Sequence, residues 1–350
     1  MLWLADALRA ALVPFITIVG LLLLGLLGAL VVERMIRGVR RRLRDRSRRL
    51  CRPYVDAWLA QPDAEGALAN LVREGRRRRT AAVDLLLAPL RSVRGDLVER
   101  SRAAVQALGM PPIWLRRLRD RRWWVRAEAA QALGLVAEPA AASALVELLD
   151  DEGAEVRAAA LEALGRIADP ATLPAIVEQL TSPRHQRVRI VAALHHFGRA
   201  AAEPLVQWGR DNPAHRAVVA ETLGQMGSTT GLPALLDWIG DDDAAVRAAC
   251  LHAAGDIGVD DRLYYYALRA LSDPHPDVRA MAARALGRSG RPDSSTYLAA
   301  RLGDEWTVAA HSATALRKLG DAGRRELAAA ADRGGPGADL ARRTLWEAGA

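Results

Sequence analysis

Apolar residues recur along the last two-thirds of this chain in a phrase of ten. VRAEAAQALG starts at Val125, VRAAALEALG at Val156, HRAVVAETLG at His215, VRAACLHAAG at Val246 and VRAMAARALG at Val278. Two degenerate copies complete the series, RIVAALHHFG from Arg189 and VAAHSATALR from Val308. The starts follow one another at nearly constant intervals, apart from one short step between Arg189 and His215. In the stretch from Asp120 to Asp150, Val125, Ala129, Ala132 and Leu133 fall at i, i+4, i+7 and i+8, one face of a helix. Gly134 is expected to end that helix as a C-terminal cap. Pro139 then opens a second helix with Ala144, Leu145, Leu148 and Leu149 on its apolar side. Asp150 and Asp151 begin the next unit, where Asp can cap the following helix. The unit is helix–turn–helix. One such pair cannot bury its own face, so neighbours must stack. A fixed period of this size therefore predicts a repeat array, an architecture that builds long binding surfaces and seldom carries chemistry.

The D-x-x-x-VR-x-x-A-x-x-A-L-G frame resembles the HEAT repeat, specifically the short bacterial type also seen in phycobilin lyase subunits. It extends over roughly residues 95–333. The resemblance implies an all-α fold, a right-handed α-solenoid of helical hairpins, with residues 334–350 as a C-terminal capping helix. It also implies a role for the recurring Arg126, Arg157, Arg216, Arg247 and Arg279, which occupy the family's ladder position and would bond to Asp side chains of neighbouring repeats. Asp120, Asp151, Asp211, Asp242, Asp273 and Asp304 are the candidates near the junctions. Periodic placement is what stacking needs, so these rows read as structure and not as an active site. The row breaks at Ile190 and at Ala309. The first break coincides with the short step after Arg189 and predicts a change of curvature near residues 185–215. Such repeats serve many unrelated functions, so the resemblance speaks to fold.

Ahead of the array the pattern changes. The run from Ala11 to Val32 contains no charged side chain. As a helix it would extend about 33 Å, enough to cross the hydrocarbon core of a bilayer. Residues 11–33 are therefore expected to form a single transmembrane helix after a short extracytoplasmic segment, 1–10. Arg34 to Arg52 holds ten arginines and one acid, Asp45. The positive-inside rule places that side, and the array, in the cytoplasm of a bacterial inner membrane. Gly25 and Ala29 form a small-xxx-small pair that can support helix dimers. Ile36, Val39, Leu43 and Leu50 make an apolar stripe among the arginines. Residues 34–52 thus read as a basic amphipathic helix, stopped at Pro53, in which Arg40, Arg41, Arg42 and Arg44 either contact anionic lipid head groups or only set topology. A membrane-proximal helical region, 53–94, follows. Its Arg73–Arg79 run reads as a solvated loop or helix end.

Charge and chemistry narrow the function. The net charge is +8. Residues 1–126 hold 26 basic and 11 acidic side chains, residues 127–350 hold 23 and 30. The basic character thus belongs to the membrane-proximal third, and nucleic acid is not an expected partner of the array. The two cysteines, Cys51 and Cys250, form no CxxC, which suits a reducing compartment. There is no P-loop, dinucleotide fingerprint, HExxH or GxSxG. Neither a catalytic residue, a metal ligand nor a cofactor is expected.

A binding surface is sought instead on the second helices. Trp208 and Trp238 align there at a position that also accepts Gln179 and Arg301, which predicts an unsealed site. Together with Tyr265 they form one candidate docking patch. Trp123 and Trp124, beside Arg121 and Arg122, form a second at the membrane-proximal edge. The expected function is a membrane-anchored scaffold holding a protein partner, such as a membrane-embedded enzyme complex. The alternatives are a chromophore-lyase-like subunit, suggested by the repeat subtype, and nucleic-acid binding in the repeat groove.

Overall fold

The computed structural model describes residues 2–61, 66–90 and 95–349, and among them there are helices and turns but no strand. Two compact units divide at residues 113 and 114.

The first unit starts with α1 (Leu2–Ala60), continuous for 59 residues. Then come α2 (Ala67–Arg77), α3 (Arg79–Leu90) and α4 (Asp96–Ala107). Pro53 does not stop α1. A mid-helix proline forfeits one backbone hydrogen bond, but Cys51 and Val55 on either side of it are buried, and that packing carries the helix on to Ala60. Ile36, Val39, Leu43 and Leu50 are all exposed, so the apolar stripe is uncovered. Among the described residues no helix is long and apolar enough to cross a membrane. The expected transmembrane helix gains no support from them. Most side chains of the run from Ala11 to Val32, those of Gly25 and Ala29 included, lie outside the described residues.

After α5 (Pro111–Arg117), the second unit is a solenoid-like series of hairpins. Its helices are α6 (Trp123–Leu135) and α7 (Ala142–Glu147), α8 (Ala154–Ile167) and α9 (Leu173–Glu178), α10 (Arg187–Phe197) and α11 (Ala202–Asp211), and α12 (Arg216–Gln225) and α13 (Leu232–Trp238). They continue as α14 (Ala244–Ile257) and α15 (Asp261–Ala270), α16 (Pro276–Ser289) and α17 (Ser295–Ala299), and α18 (Trp306–Lys318) and α19 (Gly320–Arg333), with α20 (Ala338–Gly349) last. Short 3₁₀ turns lead into several of the second helices.

The glycine of the phrase does not cap its helix. Gly134 lies inside α6, buried, and a Cβ added to it would sit 2.5 Å from the Ala163 Cα of α8. Gly165 faces Ala193 in the same way, as do Gly224 and Ala253, Gly255 and Ala285, and Gly287 and Ala315. Five of the first helices, α6, α8, α12, α14 and α16, thus carry a glycine notch that receives an alanine of the next one. Turning the chain is left to the residue three positions later. Ala137, Ala168, Gly198, Gly227, Gly258, Gly290 and Gly320 all have positive φ. A positive φ favours glycine, and two copies fill the position with alanine.

This row of turns also corrects the register of the third copy. Gly198 is a turn residue, and the notch position of that copy is His195. The copy therefore begins at Gln186, three positions earlier than the phrase suggests, and the spacing from turn to turn is nearly even throughout. No short step exists. The ladder position of the copy is Arg187, and Ile190 is a fully buried core residue. Something does change here, for a different reason. His195 replaces the notch glycine and Thr222 replaces the receiving alanine. Consecutive first helices pack closely elsewhere, whereas α10 and α12 touch only marginally.

Candidate protein-docking surface

The Arg and Asp rows are a stacking ladder. Arg126 makes a two-pronged pair with Asp151, both contacts at 2.7 Å. Arg247 pairs likewise with Asp273 at 2.9 Å. Arg279 reaches Asp304 at 3.0 and 2.6 Å. Arg216 meets Asp241 through one contact of 2.8 Å. The partner is therefore Asp241, which precedes the expected Asp242. Three of these arginines also donate back into their own loop, Arg126 to the carbonyl of Asp120, Arg247 to that of Asp241 and Arg279 to that of Asp273, while Arg216 donates to the carbonyl of Gly209 in the last turn of α11. The acceptor carboxylates take a backbone N–H as well, from Gly153, Asp243, His275 and Glu305. One rung thus ties two loops and a helix end together.

Arg157 has no rung. Its guanidinium donates to the carbonyls of Asp151, Glu152 and Arg184, because Ser182 occupies the place of the acceptor Asp. Arg187 turns to Glu221 instead, since Asn212 stands at its acceptor position. Asp120 pairs with Arg122 in its own loop, and Asp211 accepts from Gln207. Asp243 and Asp260 cap α14 and α15.

Burial by itself would raise the carboxyls of Asp151, Asp241 and Asp273, but their arginine partners and backbone donors outweigh it and hold all three below the usual range. Asp304 is held down first by Arg279. A carboxylate whose folded pKa lies below its unfolded value, about 3.9, stabilises the fold above that pH. That contribution is lost as pH falls through the folded pKa. The melting temperature is accordingly expected to be flat between about pH 7 and 5 and to fall steeply below about pH 4. A thermal-melt series across that range measures it, and a flat profile down to about pH 3 would remove the ladder from the stability account.

The aromatic candidates separate. Trp238 is only 6% exposed. Its ring lies over Gly209 of the preceding hairpin, where a Cβ would come within 2.6 Å of it, and the Arg216 guanidinium sits 5.6 Å from its centroid. The slot opened by a distant glycine seals this tryptophan, so it is not a surface anchor. Trp208 is half-buried and stacks on His215 at 5.4 Å. Tyr264 is buried under Arg291, while Tyr265 is 64% exposed. No continuous Trp208–Trp238–Tyr265 patch forms.

Trp123 and Trp124 remain open to solvent, at 46% and 52%. Their rings meet edge to face, 6.0 Å apart, with Arg122 6.0 Å above Trp124. Three exposed aromatics were not singled out by the sequence, Tyr297, Trp306 and Trp346. Trp306 was detectable, because it precedes Val308 by two positions as Trp123 precedes Val125, in the last and first copies where inner copies have Ala154, Ala244 and Pro276. Arg41, Arg42 and Arg44 are exposed on α1, and the Arg40 side chain lies outside the described residues. Among the described residues no group of three or more His, Cys, Asp or Glu side chains is placed to hold a metal.

A family model described as HEAT repeats matches residues 111–195, 202–265 and 260–317. No curated protein matches the chain. Among solved structures, Kap121p is 13% identical with a TM-score of 0.53, over 83% of this chain and 42% of that one. The complex of CpcE and CpcF of phycocyanin lyase from Nostoc sp. PCC7120 is 19% identical with a TM-score of 0.31, over 68% and 94%. The Kap95:Nup1 complex is 12% identical with a TM-score of 0.47, over 80% and 48%. The chain thus spans less than half the length of the Kap121p and Kap95:Nup1 chains it matches, and at these identities the likeness concerns the fold. The family model covers more than half of the sequence and coincides with the stacked, notched hairpins, so the chain belongs to the HEAT-repeat family.

Proposed function

We propose that the chain is a membrane-anchored scaffold that holds a protein partner on its HEAT array and performs no catalysis of its own. The observation that carries the docking half is the Trp123–Trp124 pair. Two large aromatics side by side, half exposed and capped by Arg122, sit on a helix whose other face is locked into the array. Trp, Tyr and Arg dominate the energetics of protein interfaces, and a rigid presentation lowers the entropy lost on docking. The anchoring half rests on sequence. The uncharged run from Ala11 to Val32 belongs to one unbroken helix that continues into ten arginines. The uncovered stripe of Ile36, Val39, Leu43 and Leu50 suits a helix that meets lipid or a membrane-embedded complex at the cytoplasmic face.

The test uses full-length protein from carbonate-washed membranes, with a photo-crosslinking residue at position 124 or, as control, at 208. Crosslinks at 124 to one membrane-bound polypeptide are expected, with few at 208. Trp123→Ala/Trp124→Ala should cut recovery of that partner by about 30-fold, the equivalent of a 2 kcal/mol hot spot. Unchanged recovery would move the docking site elsewhere, and release of the protein by carbonate would remove the anchor.

A further inference from the structure

The Arg73–Arg79 run is not simply a solvated loop. Its last three arginines, Arg77, Arg78 and Arg79, turn the chain between α2 and α3 and face the basic stretch of α1. Together they line a cleft of about 540 Å³, shared with Leu43, Arg44, Ser47 and Arg48 from α1 and with Thr80, Ala81 and Asp84 from α3. Five arginines and two hydroxyls converge on one opening.

Local acids do not balance this charge. Asp84 holds Arg48 at 2.9 Å. Glu74 takes Arg78 at 2.8 Å and the more distant Arg77 at 3.8 Å. Arg44 and Arg79 have no carboxylate partner among the described residues. Like charges gathered in a cleft repel one another, and a bound anion relieves that repulsion. The donor set suits a phosphoryl group: guanidinium forks bind its oxygens in pairs, and hydroxyls can complete a tetrahedral shell. The apolar part of the lining, Leu43 and Ala81, is too small to take an acyl chain, so the cleft would read a head group and not a tail.

We propose that the cleft between α1 and the α2–α3 turn binds a phosphoryl dianion, supplied by an anionic lipid head group or by a soluble phosphorylated molecule. The site uses no residue of the array and is independent of the docking proposal. Its consequence is a second, chemically specific contact beside the basic helix, beyond the general attraction of arginines to an acidic surface.

The two sources are separable with the full chain in non-ionic detergent, titrated calorimetrically with pyrophosphate and with water-soluble dihexanoyl phosphatidic acid. Saturable binding is expected, weakened about tenfold or more by Arg44→Gln/Arg79→Gln, which removes two charge-assisted donors. Ser47→Ala/Thr80→Val should weaken it about threefold without touching any ion pair. Arg324→Gln/Arg325→Gln, an exposed pair on α19, is the charge-matched control and should leave the affinity unchanged. Tighter binding of the phosphatidic acid assigns the site to lipid, and equal or tighter binding of pyrophosphate assigns it to a soluble ligand. Absence of saturable binding by both probes, or equal weakening in the control, would overturn the proposal in favour of diffuse charge.

Discussion

Replacing Gly224 by valine is expected to destabilise the array by about 3 kcal/mol, the upper part of the range for overpacking a tight contact. On an ordinary helix surface, removing a mid-helix glycine has the opposite sign, since glycine costs roughly 1 kcal/mol there relative to alanine. Gly224 differs because α14 crosses directly over it. A Cβ at this position would lie 2.7 Å from both the Cα and the Cβ of Ala253. The obstacle is backbone, which cannot rotate away as a flexible side chain does. Valine adds two further methyl groups to the same gap, so α12 and α14 must separate. In an array each hairpin is held chiefly by its neighbours, so opening one interface weakens the blocks on both sides. For a unit of this size the loss corresponds to roughly 8 °C in melting temperature. Gly224→Ala should fall between wild type and valine. His195→Ala, at the notch position already occupied by a side chain, should change stability little. A thermal melt of Gly224→Val within about 1 °C of wild type would show that the notch is not a tight contact.

The same notch explains what could be read from the sequence and what could not. Helix identity, hairpin alternation and period follow from alanine and leucine spacing, which is local information. The meaning of a glycine is not local. Gly134 and Gly198 both end an apolar phrase, yet one is needed for the absence of a side chain and the other for its positive φ. Only the neighbouring helix tells them apart, and aligning Gly198 with Gly134 shifted the third copy by three positions. Trp238 was misplaced for a related reason. Its own helix predicts a half-open site, but Gly209, on the preceding hairpin, provides the slot that buries it. The ladder was legible in four of its five expected arginines, Arg126, Arg216, Arg247 and Arg279, whereas Arg157 finds only carbonyls. Its acceptors were less so, because Asp241, Asp242 and Asp243 are adjacent and only the first is aimed at Arg216. The exposure of Trp123 and Trp124 was legible because they begin the first clear copy, where inner copies have Ala154, Ala244 and Pro276 in place of Trp123.

Arg247→Ala is expected to cost about 3 kcal/mol at neutral pH, as for a largely buried ion pair that loses one member. Two of the lost bonds run from the guanidinium to Asp273 and two to the carbonyls of Asp241 and Asp242, all at 2.9 Å. The larger consequence is for the residue left behind. Asp273 would keep its charge in a poorly solvated position with the His275 N–H as its remaining donor. Removing both charges should therefore be milder than the single losses combined, and a double-mutant cycle with Asp273→Ala should return a coupling of roughly 2 kcal/mol. Lysine at 247 should recover little of the loss, because a point charge cannot reproduce a fork that reaches a carboxylate and two carbonyls at once. The defect should shrink as pH falls through the depressed pKa of Asp273, where wild type loses the same rung by protonation. Arg157→Ala provides the internal comparison, since that arginine has carbonyl acceptors and no carboxylate to strand. Its cost should be clearly smaller. Equal losses at 157 and 247, or a cycle with no coupling, would mean that the carbonyl contacts alone hold the loops and that the aspartates of the ladder contribute nothing to stacking.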